Sequence, residues 1–166
     1  MMKLVLAGIL VCGSAWASIP KQNSNAKFFP EGDRLIYSRL VQSFNKADLL
    51  DVVKQKKLLE QNYPRSVHLD KAYYLTGALN FQMDRFGEAL REFDHVVNQF
   101  PQSAKRSSAL FAMAMTYKKL NLPNQATAVL RRIMDLYPGS PDSRRAWFEL
   151  RLTSNGKSAE KKSQNN

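Results

Sequence analysis

Apolar residues recur at helical intervals through most of this chain. Phe81, Phe86, Ala89, Leu90, Phe93, Val96 and Val97 do so in one stretch, and Leu110, Met113, Ala114, Tyr117 and Leu120 in the next. A 3.6-residue period of this kind predicts amphipathic helices. No segment alternates strictly over strand length, so strands are not expected. The pattern places helices near 33–45, 48–62, 67–82, 86–99, 104–120, 124–136 and 142–152. Turn residues separate them. Asp84-Arg85-Phe86-Gly87 and Asn121-Leu122-Pro123-Asn124 each interrupt two apolar runs.

The breaks follow a longer period. Tyr63-Pro64-Arg65-Ser66, Phe100-Pro101-Gln102-Ser103 and Tyr137-Pro138-Gly139-Ser140 stand 37 residues apart. Ala72, Ala109 and Ala146 keep the same step, as do Tyr74, Phe111 and Phe148, Ala89 and Ala126, and Val96 and Ile133. The residue before each proline is driven out of the α region, so a helix ends near each aromatic. Each serine then stands where its hydroxyl can satisfy free amides of the next helix. A fixed period of this size predicts an α-solenoid, in which helical hairpins stack over one continuous apolar interior. The expected architecture is all-α: about three helix-turn-helix repeats and a C-terminal capping helix. That last helix is expected to turn Trp147, Phe148 and Leu150 toward the stack and Arg144, Arg145, Glu149 and Arg151 outward.

Flanking segments read differently. Residues 1–17 have a short basic start at Lys3, an apolar core from Leu4 to Val11 and a small-x-small site at Ala15-Trp16-Ala17, the pattern of a signal peptide cleaved after Ala17. A periplasmic or secreted product is expected. Cys12 lies inside the apolar core and follows Val11, where a lipoprotein signal has a small residue, so lipid anchoring at Cys12 is not expected. Cleavage removes this one cysteine, and with it disulfide and thiolate chemistry. Residues 18–32 read as a flexible lead-in, 33–152 as the repeat domain and 153–166 as a disordered basic tail with too little apolar surface to order itself.

The formal charge of +11 is uneven: residues 104–151 hold nine bases against three acids. Lys105-Arg106, Lys118-Lys119, Arg131-Arg132 and Arg144-Arg145 recur about every thirteen residues. Either they are solvated helix faces, or they form a basic patch, centred on Arg131, Arg132, Arg144 and Arg145, that attracts anionic surfaces. Catalysis finds no support. His68 and His95 fall on different predicted helices, no metal-ligand spacing appears, and no glycine loop is built to cradle phosphate. No enzyme activity, cofactor or metal is expected.

Gly77 or Ala114 in a first helix, then Ala89 or Ala126, Phe93 or Leu130 and Pro101 or Pro138 give a sequence that resembles the tetratricopeptide repeats. Tyr117 matches the aromatic late in the first helix of such repeats, and Asn80 departs from it. The interval exceeds the usual one of about 34 residues. The longer form with a Tyr-Pro-x-Ser ending resembles bacterial envelope proteins: the C-terminal domain of the Tol–Pal accessory protein YbgF and the outer-membrane assembly lipoprotein BamD. The first repeat is degenerate, with Leu40, Val52 and Lys56 at the positions of Gly77, Ala89 and Phe93.

The resemblance implies a concave face, formed by first helices, that binds an extended peptide or partner helix. By repeat position that face takes Tyr37, Val41 and Phe44, then Tyr74, Ala78, Phe81 and Gln82, then Phe111, Met115, Lys118 and Lys119. The ladder Tyr37, Tyr74, Phe111, Phe148 is either a line of groove anchors or packing between repeats. The implied function is a scaffold for an envelope protein or peptide segment, in outer-membrane assembly or a Tol–Pal-like process. The alternative is electrostatic binding of peptidoglycan or an anionic lipid surface. Nucleic acid is not an expected partner of an exported chain.

Overall fold

The structure, a computed structural model, describes residues 32–163, with side chains through Thr153. The expected signal peptide and residues 18–31 of the expected lead-in therefore lie outside the described residues. Among the described residues seven helices follow one another: α1 (Gly32–Asn45), α2 (Leu49–Asn62), α3 (Leu69–Gln82), α4 (Phe86–Gln99), α5 (Arg106–Lys119), α6 (Pro123–Leu136) and α7 (Pro141–Ser163). Among the described residues there is no strand.

The same local chemistry closes each hairpin. The first helix ends in a left-handed residue, Ala47, Asp84 or Asn121, at φ 55°, 56° and 55°. Beside it the N–H of Asp48, Arg85 or Leu122 donates to the carbonyl of Ser43, Asn80 or Tyr117, each at 2.9 Å. This six-residue closure satisfies a carbonyl that the helix end would leave unpaired. Asp48 also caps α2, accepting from the Asp51 N–H at 3.1 Å, and Pro123 opens α6 where its missing N–H costs nothing.

Between repeats the serine acts as predicted, with a second role. Ser66 Oγ accepts from the His68 N–H at 3.1 Å and donates to Asp33 Oδ2 at 2.8 Å. Ser103 repeats both bonds, with the Lys105 N–H and Asp70. In the third copy Ser140 accepts from the Ser143 N–H at 3.0 Å. The aspartate position is there taken by Ser107, which instead donates, with Ser108, to Asp142 at 2.8 and 3.0 Å. The first two Pro-x-Ser turns are thereby tied to the preceding first helix, and at the third α5 is tied to the start of α7 instead.

Each helix packs on its neighbours in the chain, and α1, α3, α5 and α7 also touch in succession. The backbones of α2, α4 and α6 do not meet one another. The stack therefore curves with the first helices inside. Close packing within a repeat is set at Gly77, where an added Cβ would lie 2.7 Å from the Phe93 ring. No described helix is long and apolar enough to cross a membrane.

Three expectations change. The interior is not one continuous apolar body: Leu40, Val52, Leu59, Leu69, Ala72 and Leu79 form one buried cluster over α1 to α3. A second, from Ala89 and Phe93 to Ala146, runs along the rest of the stack. Near the division, buried Lys56 pairs with Glu92 at 2.6 Å and lies over the Tyr73 ring at 4.4 Å. Second, α7 packs through Ser143, Ala146 and Leu150, and leaves Trp147 and Phe148 exposed at 48% and 57%. Ala146 keeps the step of Ala72 and Ala109, so α7 is placed as the first helix of a further repeat. Third, its backbone runs on to Ser163, through residues that read from sequence as a structureless tail. Ala159, Glu160, Lys161 and Lys162 are good helix formers, and extending an existing helix avoids a new nucleation.

Candidate functional site

The first-helix face begins with the aromatic ladder, and each of its first three rungs is covered by a residue of the following repeat. His68 stacks on Tyr37 at 4.7 Å and 4°. Lys105, one repeat later, lies over Tyr74 at 5.2 Å. Position 142 would come next but is aspartate, and Arg145, one turn on, covers Phe111 at 3.9 Å. A flat ring beneath a cation or a second ring gains quadrupole attraction and loses water. Both packing and exposure are therefore present in the ladder. Tyr37 and Tyr74 are half-buried, Phe111 is buried and Phe148 is exposed. Phe111 is the rung that an approaching ligand reaches least.

Burial pushes the phenol of Tyr37 above its ordinary range, and the Asp70 carboxylate adds to the effect. Tyr74 is raised in the same way by burial and then by Asp142, with Arg145 opposing. Both are neutral hydroxyls at any physiological pH.

Other candidate residues separate into two groups. Phe44 packs half-buried on the first apolar cluster, and Phe81 on the second, where it meets Phe86 edge-on at 5.7 Å. These two serve hairpin packing. Met115 is half-buried, and Lys118 and Lys119 are exposed at the end of α5. Lys118 holds Glu149 of α7 at 2.5 Å. A lysine read as a ligand contact thus also ties α5 to α7.

Of the candidate groove residues, Phe111 and Met115 meet the ladder's Phe148 at an open pocket of about 630 Å³ between α5 and α7. Phe111, Met115 and Phe148 supply its apolar wall, Arg144 and Arg145 its cationic side, and Glu149 its remaining charge. Arg145 is held by Asp142 at 3.2 Å, and Arg144 donates to the Gly139 carbonyl at 2.7 Å. Both guanidiniums are positioned before any ligand arrives. Phe148 follows from the ladder's step. The roles of His68 and Lys105 share a 37-residue step of their own, a signal legible in the sequence but not read there.

The basic patch divides. Arg144 and Arg145 are engaged at the α7 pocket, whereas Arg131 and Arg132 are exposed on α6. The two histidines serve as stacking partners, His95 resting on Tyr73 at 3.8 Å. Among the described residues, no group of three or more His, Cys, Asp or Glu is arranged to hold a metal ion.

Known proteins agree with this architecture. Among curated proteins none matches the chain at a significant level. A solved structure, the N-terminal domain of stress-induced protein-1 (STI-1) from C. elegans, superposes with a TM-score of 0.58 at 12% identity. The overlap covers 70% of this chain and 92% of that one. Residues 108–140, which include most of α5 and all of α6, match the tetratricopeptide repeat family. The fold is thus a tetratricopeptide-like helical repeat.

Proposed function

We propose that the protein is a non-enzymatic periplasmic scaffold that holds an extended peptide or helix of an envelope partner along its first-helix face. The observation that carries this reading is the α5–α7 pocket, where an apolar wall of Phe111, Met115 and Phe148 adjoins two prepositioned guanidiniums. Such a site suits a segment that pairs an apolar side chain with a carboxylate. Rigid stacked helices place the ordering cost of binding on the ligand alone. Tyr74 and Tyr37 extend the same face toward the N-terminus. The Lys3, Leu4–Val11 and Ala15-Trp16-Ala17 pattern supports export.

The test is site-specific photocrosslinking in the native envelope. A crosslinker at Met115 or Phe148 should capture one partner that a crosslinker at Leu50, exposed on α2, does not. Phe148→Ala should weaken purified partner binding at least tenfold with far-ultraviolet helicity retained. Unchanged affinity in both Phe148→Ala and Tyr74→Ala would refute the groove.

The electrostatic alternative keeps one feature in its favour, the exposed Arg131 and Arg132 on α6. Binding to peptidoglycan or anionic vesicles that collapses between low and physiological salt, and is lost in R131Q/R132Q, would favour it.

A further inference from the structure

The first three rungs of the ladder are not covered alike. Lys105 and Arg145 reach Tyr74 and Phe111 with a charge at the end of a long stem, which can lie over a ring and keep its N–H groups in water. His68 instead lies flat on Tyr37, 4.7 Å between ring centres and 4° from parallel. Its Nδ1 is buried and has no hydrogen-bond partner among the described residues. The backbone fixes this placement: His68 is the N-cap of α3, and its N–H donates to Ser66 Oγ at 3.1 Å. A neutral imidazole fits here. An N–H at Nδ1 would be a buried donor without an acceptor, so the single proton belongs on Nε2 and Nδ1 presents only a lone pair.

We propose that His68 is a proton-operated cover: in acid its imidazolium leaves Tyr37, and the first-helix groove gains its N-terminal rung. This rests on the groove reading above and says how that site is regulated. Imidazole takes up its second proton within the range of about pH 5–8, and here that proton must go to Nδ1. A charged donor buried without an acceptor loses its hydration uncompensated. The carboxylates on this side are already engaged. Asp33 accepts from the Arg34 N–H at 2.7 Å and from Ser66, and Asp70 accepts from the Lys71 N–H at 2.8 Å and from Ser103. Their attraction for an imidazolium is opposed by Arg34 and Lys71 beside them, by Arg65 in the turn and by the positive end of the α3 dipole, where His68 sits. Tyr37 remains a neutral hydroxyl and supplies no counter-charge. Stacking on its ring is a smaller effect than a buried unpaired charge. Turning outward puts both imidazolium N–H groups in water. It also opens one face of Tyr37 to an apolar side chain of the bound segment, beside a new cation.

The test begins with the full chain alone, carbon-13-labelled in its His and Tyr side chains. At about pH 7.5 the Tyr37 ring resonance should be shifted by the stacked His68 and shielded from a neutral gadolinium chelate in solution. At about pH 5.0, with far-ultraviolet helicity unchanged, that shift should vanish and relaxation by the chelate should rise at least threefold, both following the titration of His68. His68→Phe should stay covered at both pH values, and His68→Ala should be open at both. Tyr74, beneath Lys105, should not respond. Three results would each overturn the proposal: His68 titrating while Tyr37 stays shifted and shielded, His68 remaining neutral at the lower pH, or a pH effect that survives in His68→Phe. Photocrosslinking then ties the cover to the groove. A crosslinker at Val41, one turn from Tyr37 on the same face, should capture the partner taken at Met115 at least threefold better at the lower pH, and His68→Phe should abolish that rise. Capture at Met115 itself should change less than twofold. Capture at Met115 with no rise at Val41 would overturn the regulation alone. No capture at Met115 at either pH would overturn the groove reading, and this regulation with it.

Discussion

The first repeat and the second use one backbone plan with opposite side-chain solutions. In the second, Gly77 makes room for Phe93, and the hairpin closes on an aromatic buried to 1% exposure. In the first, Leu40 fills the small position, and Lys56 stands where the aromatic would be. Lys56 is nonetheless buried, and its ammonium reaches Glu92 of the next repeat. A large residue on one helix has displaced bulk from the other, and the displaced position has become a polar link between repeats. Degeneracy in a repeat is therefore not disorder. It is a different way of filling the same volume, and it divides the apolar interior into two clusters.

The comparison can be broken most severely at its apolar half. Phe93→Ala should cost about 3–5 kcal/mol, because the ring is buried and fills the space over Gly77. Urea denaturation at constant helicity would measure it. A loss under about 1 kcal/mol would mean the second hairpin is not held by this contact.

Glu92→Gln tests the polar half. Removing one partner of a mostly desolvated pair leaves Lys56 charged and buried, which should cost about 3 kcal/mol. The double change Lys56→Met with Glu92→Leu should recover most of that loss, since an apolar pair of similar volume needs no desolvation. If the double variant is as unstable as the single one, the pair is more than a substitute for packing.

The smallest effect sharpens the comparison at the turn. Ala47 is left-handed where the later repeats use Asp84 and Asn121, residues that tolerate that conformation better. Ala47→Gly should stabilise the protein by about 1 kcal/mol, and Asp84→Gly by less. Thermal unfolding of the two variants side by side provides the check.

The helices were legible because two independent signals, helical periodicity and the Pro-x-Ser step, fall at the same boundaries. The candidate site was legible only in part. Phe111 and Met115 came from the ladder and register, but the pocket they line needs α7, whose inward face apolar content does not predict. Apolar content suggested that Trp147 and Phe148 face inward. Ala146 faces inward instead, because the repeat step, and not residue size, sets which side of that helix meets α5 and α6. Lys118 and Arg145 show the same gap: their sequence neighbourhood marks them as free cations, and the fold supplies Glu149 and Asp142.

By itself the sequence determined the helical repeat, its length, its turn chemistry and which residues occupy equivalent positions, since these rest on local backbone preference and spacing. Tertiary structure alone decided which equivalent positions are covered. Burial depends on whether a neighbouring helix is present, and a position that is core within the stack becomes surface where the stack stops. That is why Leu110 is 1% exposed and Trp147, one repeat later, is 48% exposed.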